Sequence, residues 1–405
     1  MLLGDFAPVP GTEDVHFDLD YSQDDLVFMN LETPLIDGAT HATQRAKAGP
    51  TLSGSGVTFG RFIDKKFVVN LANNHIMDFG AEGLDETLRV CAESDCIAVG
   101  AGVSLEEALR PAILEVEGLT LGVLACAETQ FGIASPWRAG VAPILPGSIE
   151  SQIRELADRV DVLVVSVDGA AEMSPWPSPK WQGMLRGFVD AGARVVYGHH
   201  SHVPQAYEEY GGGIIFYGLG NFLVNPNQWV DEPNTLWSLT PELIVDGSSV
   251  RCSVRTSVLH GTDGSVRVRG SEDAELVEHL AYVERCNRSL ADPMELHGLW
   301  QEASVRMYGA CYAEWLTFSP RSRTGRGGLR SWLGAPRRFL AGGPSATAPP
   351  SRDKLLLWYH LFACESHVDA ISTALGVLGG ELDDLRTEQT GALADEMLPW
   401  SRWIA

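Results

Sequence analysis

Cysteine is sparse and follows no pairing pattern. The 405 residues hold seven (Cys91, Cys96, Cys126, Cys252, Cys286, Cys311 and Cys364), an odd number with no Cys-x-x-Cys. A disulfide framework and a zinc knuckle are therefore excluded, and reduced thiols in a cytoplasm are the simplest expectation. Positive charge is also short. With 30 Lys+Arg against 53 Asp+Glu the formal charge is −23, so a nucleic acid would be repelled everywhere except in a local pocket. No apolar run reaches the roughly 18 residues that mark a membrane span. Met1-Leu2-Leu3-Gly4-Asp5 has neither a basic n-region nor an apolar h-region, so no secretory signal is visible. No internal repeat is found.

What is present over the first 260 or so residues is an alternation of short apolar runs and helical patterns. Val27-Phe28-Met29, Phe67-Val68-Val69, Leu121 to Leu124, Val162 to Val165, Val195-Val196-Tyr197 and Ile214 to Tyr217 read as buried strands, being short, β-branched and bounded by Gly, Asp or Asn. Gly83 to Ala92, Ser148 to Arg159 and Pro179 to Ala191 read as helices, which makes a layered α/β architecture. From residue 261 to 317 the spacing of Leu276, Leu280 and Val283 predicts helix. Residues 318–352 are rich in Gly, Pro, Ser and Arg, and from Ser319 to Arg352 there are seven arginines and no acidic residue. This composition reads as a solvated linker, although its charge could draw an anionic partner. Residues 353–405 return to helix, with Gly379-Gly380 as a stop.

The chemistry-bearing residues gather after strands. Gly198-His199-His200-Ser201-His202 follows Ala193 to Tyr197 and holds three of the chain's 11 histidines. The carboxyl ends of strands are where open α/β sheets bind ligands. In extended backbone, residues two apart share a side, so His200 and His202 would converge on one ion while His199 faces away. Asn73-Asn74-His75 with Asp78 follows another strand; these residues either form an Asx turn or offer a hard oxygen and an acid–base group. Asp5 and Glu32 sit just beyond two more strands. Together Asp5, Glu32, Asn74, His200 and His202 make a mixed O/N donor set suited to two divalent ions such as Mn²⁺, Fe²⁺ or Zn²⁺. Arg45 and Lys47 either are solvated cations or bind an anionic group of the substrate.

Gly4-Asp5, Asn30-Leu31-Glu32, Asn73-Asn74-His75 with Asp78 and Gly80, Gly198 to His202, and Tyr217-Gly218-Leu219-Gly220-Asn221-Phe222 occur in one order. Over residues 1–260 this resembles the CapA-type poly-γ-glutamate-synthesis family, a branch of the calcineurin-like metallophosphoesterases. The resemblance implies a four-layer α/β/β/α sandwich carrying a C-terminal helical appendage. It implies a dinuclear metal site held by Asp5, Glu32, Asn74, His200 and His202, with His75 beside the reacting group and Asp78 orienting it. His199 and Asn221 are further candidates, for substrate contact and for support under the site. Two departures stand out. Asp168, in Ser166-Val167-Asp168-Gly169-Ala170-Ala171-Glu172, falls where the family has the His of His-Trp-Gly-x-Glu; it is either a metal ligand offering a harder oxygen donor or part of a turn. Only Met1-Leu2-Leu3 precedes Gly4, so the first strand is short or starts upstream, where the anchor of many extracellular family members would lie.

The expectation is a metal-dependent hydrolase in which a metal-bound hydroxide attacks a phosphoester or a γ-glutamyl-type amide of a small anionic or peptide-like substrate. The alternatives are a non-hydrolytic subunit binding poly-γ-glutamate or another peptide polymer, and a tailoring enzyme. In the latter the segment after residue 272 would shape the pocket or a homodimer contact.

Overall fold

The computed structural model describes residues 1–19, 26–37, 42–63, 66–247, 249–262, 265–317 and 350–398. The expected linker at 318–352 lies almost wholly outside the described residues, and so does the end of the C-terminal segment.

Two sheets organise the chain. One has strands β1 (Leu2–Phe6), β2 (Val27–Leu31), β3 (Phe67–Asn70) and β4 (Ile97–Val99). The other has β5 (Ala112–Val116), β6 (Leu119–Ala127), β7 (Val162–Asp168), β8 (Val195–His199), β9 (Tyr207–Tyr210) and β10 (Gly213–Phe216). A last strand, β11 (Asn221–Leu223), returns to the first sheet, giving the orders β11-β1-β2-β3-β4 and β9-β10-β8-β7-β6-β5. The first sheet is parallel throughout. The second is parallel from β6 to β10 and antiparallel at its two edges. Parallel strands covered on both faces need near-continuous apolar runs, and Val162 to Val167 supplies one that is buried along its whole length.

The sheets pack face to face, with the Phe28 and Tyr197 rings edge-on at 6.3 Å. Helices α1 (Gly56–Phe62) and α2 (Gly80–Glu93) cover the first sheet; α3 (Ser148–Ala157) and α4 (Pro179–Asp190) cover the second. The result is the α/β/β/α sandwich. Helix α4 starts where expected because Ser178 accepts a hydrogen bond from the Trp181 N–H and Pro179 stands in the first turn. A four-stranded sheet formed by Trp237–Leu239, Thr256–Thr262, Ser265–Gly270 and Val15–Asp18 flanks this core, and one of its strands runs across residue 260.

The C-terminal helices are broken where the periodicity alone reads continuous helix. The stretch from Ala274 divides into α5 (Asp273–Ala291) and α6 (Pro293–Met307). Pro293 cannot donate an N–H, and the Asp292 side chain caps the new start by accepting from Met294 and Glu295. Beyond, α7 (Arg352–Ala363) and α8 (Glu365–Gly379) meet at Cys364 with a bend of 82°, and α9 (Glu388–Met397) follows. Gly380, at φ 74°, closes α8 in the left-handed cap that its position predicts. The Trp358 indole N–H donates to the Trp315 carbonyl at 3.1 Å, which fastens α7 to the segment around Trp315. No single helix among the described residues is long and apolar enough to cross a membrane.

Strand β1 extends through Phe6, so Asp5 lies within it rather than beyond it. The close approach of β1 to β11 requires glycine: a Cβ on Gly4 would lie 1.9 Å from the Gly220 carbonyl oxygen. Gly4→Ala is therefore expected to lower the unfolding free energy by about 2 kcal/mol through overpacking, seen as a lower urea midpoint. Gly60→Ala in α1, where a Cβ meets nothing within 4 Å, should be neutral or stabilising by up to about 1 kcal/mol.

Candidate metal centre

The polar residues that end the parallel strands come together because the registers align them. Asp5 pairs across β1 with Asn30 and Asn221, Asn30 with Asn70, and Asp168 with His199. The Asn30 amide joins the two sheets, donating to Asp5 Oδ1 at 2.9 Å and approaching Asp168 Oδ2 at 3.5 Å. Asn30 is in turn fixed through its Oδ1 by Asn73 at 3.0 Å.

Asp5, Glu32 and His202 present ligand atoms that all lie within 4.8 Å of one another. His202 Nδ1 stands 3.7 Å from Asp5 Oδ2, and its Nε2 stands 3.7 Å from Glu32 Oε1. Asp168 Oδ1 and His200 Nδ1 face each other at 3.8 Å. Asp5 Oδ2, Glu32 Oε1, Asn74 Oδ1, Asp168 Oδ1 and His200 Nδ1 are buried and make no hydrogen bond within the protein. Buried polar atoms are normally satisfied, and a convergent set of carboxylate, amide and imidazole donors left unpaired fits divalent cations. Asp168 is linked to this group through the Asn30 amide, which lies between it and Asp5.

The electrostatics agree. Burial, with the charges of Asp5 and Glu172, pushes the Glu32 carboxyl well above the usual range. Burial, with Glu32 and Asp5, does the same to Asp168. For Asp5 burial pulls upward, but the His199 imidazole and the nearby His202 outweigh it and hold the carboxyl low. Burial pushes His200 down to about 4, leaving a neutral imidazole with a lone pair available to a cation.

The histidine motif departs from the alternation argument. Strand β8 ends at His199, and His200 and His202 have left-handed backbone, at φ 78° and 57°. Their rings still share one side, with centroids 6.2 Å apart, but the loop turns them there. His199 does not face away: its Nδ1 lies 3.0 Å from Asp5 Oδ1 and its side chain is fully buried. It braces a carboxylate beneath the donor set and is not on the cleft wall. Asn221 stands behind His202, its Oδ1 3.0 Å from Nδ1 and its amide donating to Thr235 O at 3.2 Å, which holds the ring with Nε2 toward Glu32.

Beside the donors, Asp78 joins two cations-to-be. Its carboxylate meets Lys47 Nζ at 2.5 Å and His75 Nδ1 at 2.8 Å, and accepts from the Leu52 N–H at 2.7 Å. The acceptor-only carboxylate assigns the proton to Nδ1 of His75 and leaves Nε2 free. Burial lowers the His75 and Lys47 pKa values in spite of Asp78. Arg45 is not brought to the site. It is exposed, its backbone N–H bonds Asp78 O at 2.8 Å, and its stem lies over Gly80, 3.5 Å from where a Cβ would be.

A cleft opens over the donors, lined by Glu32, Lys47, Asn74, His75, Gln130, Phe131, Glu172, His202, Trp229 and His360. Asn30, Gln130, Glu172, Trp229 and His360 are contributions that sequence reasoning did not single out. For His360 no local signal exists, since α7 is remote in sequence; it stacks on Phe131 at 5.1 Å. Helix α8 is clamped beside it. Glu365 accepts from the Thr129 N–H and hydroxyl at 2.8 and 3.0 Å, and Glu128 accepts from Ser366 Oγ at 2.6 Å. Burial pushes the Glu128 carboxyl up to about 8.

Comparison with known proteins adds the following. Residues 14–226 match the family profile described as bacterial capsule synthesis protein PGA_cap. The capsule biosynthesis protein CapA of Bacillus anthracis is 32% identical over 206 residues, covering 49% of this chain and 50% of that one. The PGA biosynthesis protein CapA of Bacillus subtilis (strain 168) is 36% identical over 159 residues, covering 38% and 42%. The chain thus spans about half the length of the curated relatives it matches. Among solved structures, a putative 5'-nucleotidase from Staphylococcus aureus has 15% identity and a TM-score of 0.37 over 64% of this chain and 49% of that one.

In the metal-free protein Glu32 is a buried carboxyl with an unpaired oxygen, so Glu32→Gln should leave its melting temperature unchanged or raised. Added Mn²⁺ is expected to stabilise the wild type, by about 2.7 kcal/mol at a hundredfold excess over Kd, and the variant to lose this gain, measured by thermal unfolding with and without chelator. At Glu128 the folded-state pKa lies above the unfolded one. The stability contributed by its neutral form is therefore full below about pH 4.5 and is lost as pH rises through about 8. Melting curves from about pH 5 to about pH 9 should decline less steeply for Glu128→Gln than for wild type.

Proposed function

The chain belongs to the bacterial capsule synthesis protein family PGA_cap, and from that premise we propose that it is a metal-dependent hydrolase of a small anionic substrate, cleaving a phosphoester or a γ-glutamyl-type amide. The observation that carries this reading is the set of unpaired buried donor atoms on Asp5, Glu32, Asn74, Asp168 and His200, with Asp5, Glu32 and His202 converging within 4.8 Å and Glu32, Asn74 and His202 lining an open cleft. Asp5, Glu32 and His202 would hold one ion; Asp168, His200 and Asn74 supply the donors for a second. Divalent ions such as Mn²⁺, Fe²⁺ or Zn²⁺ held there would supply Lewis acidity and hydroxide near neutral pH.

The side chains around the donors fit the same task. His75 lines the cleft with its tautomer fixed by Asp78, so Nε2 is placed to exchange a proton with a leaving group. Lys47 is anchored by Asp78 and by the Asn74 carbonyl at 3.1 Å, a positive charge whose position favours an anionic group of the substrate. Phe131 and Trp229 on the walls restrict water at the reacting bond.

A binding role without cleavage, in the synthesis of poly-γ-glutamate or another peptide polymer, is the second reading. It is favoured by Asp168 standing where a histidine is expected, and by relatives whose names refer to capsule and PGA biosynthesis. Elemental analysis followed by assays with bis-p-nitrophenyl phosphate and γ-glutamyl amides separates the two, since metal content without turnover supports binding alone. For the hydrolase, His202→Ala should cut kcat about 10²–10³-fold. Lys47→Gln should mainly raise KM, about tenfold, as expected when a contact is common to ground and transition states.

A further inference from the structure

A second pocket adjoins the metal cleft, and the C-terminal helices build most of it. Its walls are Ala170, Ala171, Met173, Met307, Ala310 and Trp315, with Cys311, Tyr312, Cys364, Ser366, His367 and Ala370 completing the lining. Glu172 and Met173 line both spaces, and His200, on the chamber wall, stands 3.5 Å from Glu172, so the pocket is a side chamber of the cleft.

Its polar side chains are turned elsewhere. Tyr312 is held to His367 Nδ1 at 2.7 Å, and His367 Nε2 to His360 Nε2 at 2.9 Å. Ser366 Oγ and Cys364 Sγ both donate to Glu128, at 2.6 and 3.4 Å, and Cys311 Sγ donates to Met307 O at 3.2 Å. What faces the chamber is therefore carbon and sulfur, made roomy by four alanines, with Glu172 and His200 at the mouth. The backbone around it is unusual at four places. Ala170, Met173 and His200 adopt left-handed φ of 85°, 60° and 78°, and Tyr308–Tyr312 is a turn of π-helix. Strained backbone and π-turns of this kind collect at functional sites.

We propose that this chamber is the specificity subsite for an apolar group that the substrate carries next to its anionic reacting centre. The proposal rests on the metal-centred reading of the adjoining cleft. The chamber has a volume of about 120 Å³, somewhat below the roughly 150 Å³ of a cavity known to take benzene, so the group is a short alkyl chain or a small ring of about six carbons or fewer. A purely polar substrate such as an unmodified glutamate polymer would leave the chamber unused.

The test is calorimetric binding of methyl-, butyl- and hexylphosphonate to the full chain, with and without Mn²⁺. In the wild type, affinity should rise about three- to fourfold per methylene until the chamber is full and then level off. Ala310→Leu, at a half-buried wall position, should weaken butylphosphonate at least tenfold and leave methylphosphonate unchanged, the latter also showing that the variant is folded. Affinity independent of chain length, or a chain-length gradient that survives Ala310→Leu, overturns the subsite. A gradient present without Mn²⁺ and unaltered by it upholds the subsite while overturning the metal-centred reading, so the two failures are distinguishable.

Discussion

Three carboxyl groups, those of Asp5, Glu32 and Asp168, are held out of water within reach of one another. Burial and mutual repulsion both oppose their ionisation, and among the described residues the protein returns little positive charge to them. His199 and His202 support Asp5, while Lys47 is tied to Asp78. Such an arrangement is costly in a folded chain, and its chemistry is that of a place for cations. The alignment of strand registers, the Asn30 amide spanning both sheets, and the second ring of His199 and Asn221 all serve to hold those oxygens and nitrogens in place.

Much of this was legible along the chain, and for physical reasons. The buried strands are apolar runs closed by Asp, Asn or His, so the sequence marks both the strand and the polar group at its end. Asp5, Glu32, Asn74, His200 and His202 stand out in that way and Asp168 through the family resemblance; the structure brings Asp5, Glu32 and His202 within 4.8 Å of one another and sets Asp168 against His200. The alternation argument at the histidine motif failed because His200 and His202 take left-handed backbone without being glycine, a choice made by tertiary packing. Arg45 and Lys47 look equivalent as neighbouring cations, yet one is exposed and the other is drawn into the cleft wall by Asp78; burial at that spacing depends on a loop's path, which composition does not encode.

What sequence periodicity could not reveal is the part played by the distant helices. Glu365, Ser366 and His360 look like ordinary helix residues until Thr129, Glu128 and Phe131 are seen against them. Those three belong to the segment just after β6, so the C-terminal helices dock on the rim of the donor set. The family profile ends at residue 226, well before α7 and α8. Within this chain the labour is divided: the sandwich supplies the donors, and the C-terminal helices enclose the space beside them.

The meeting of Trp315 and Trp358 has a consequence for the chamber. Trp315 is one of its walls, and the hydrogen bond ties that wall to α7, the same helix whose His360 lines the metal cleft. A displacement of α7 would be felt in both spaces at once, which makes that helix a mechanical link between them.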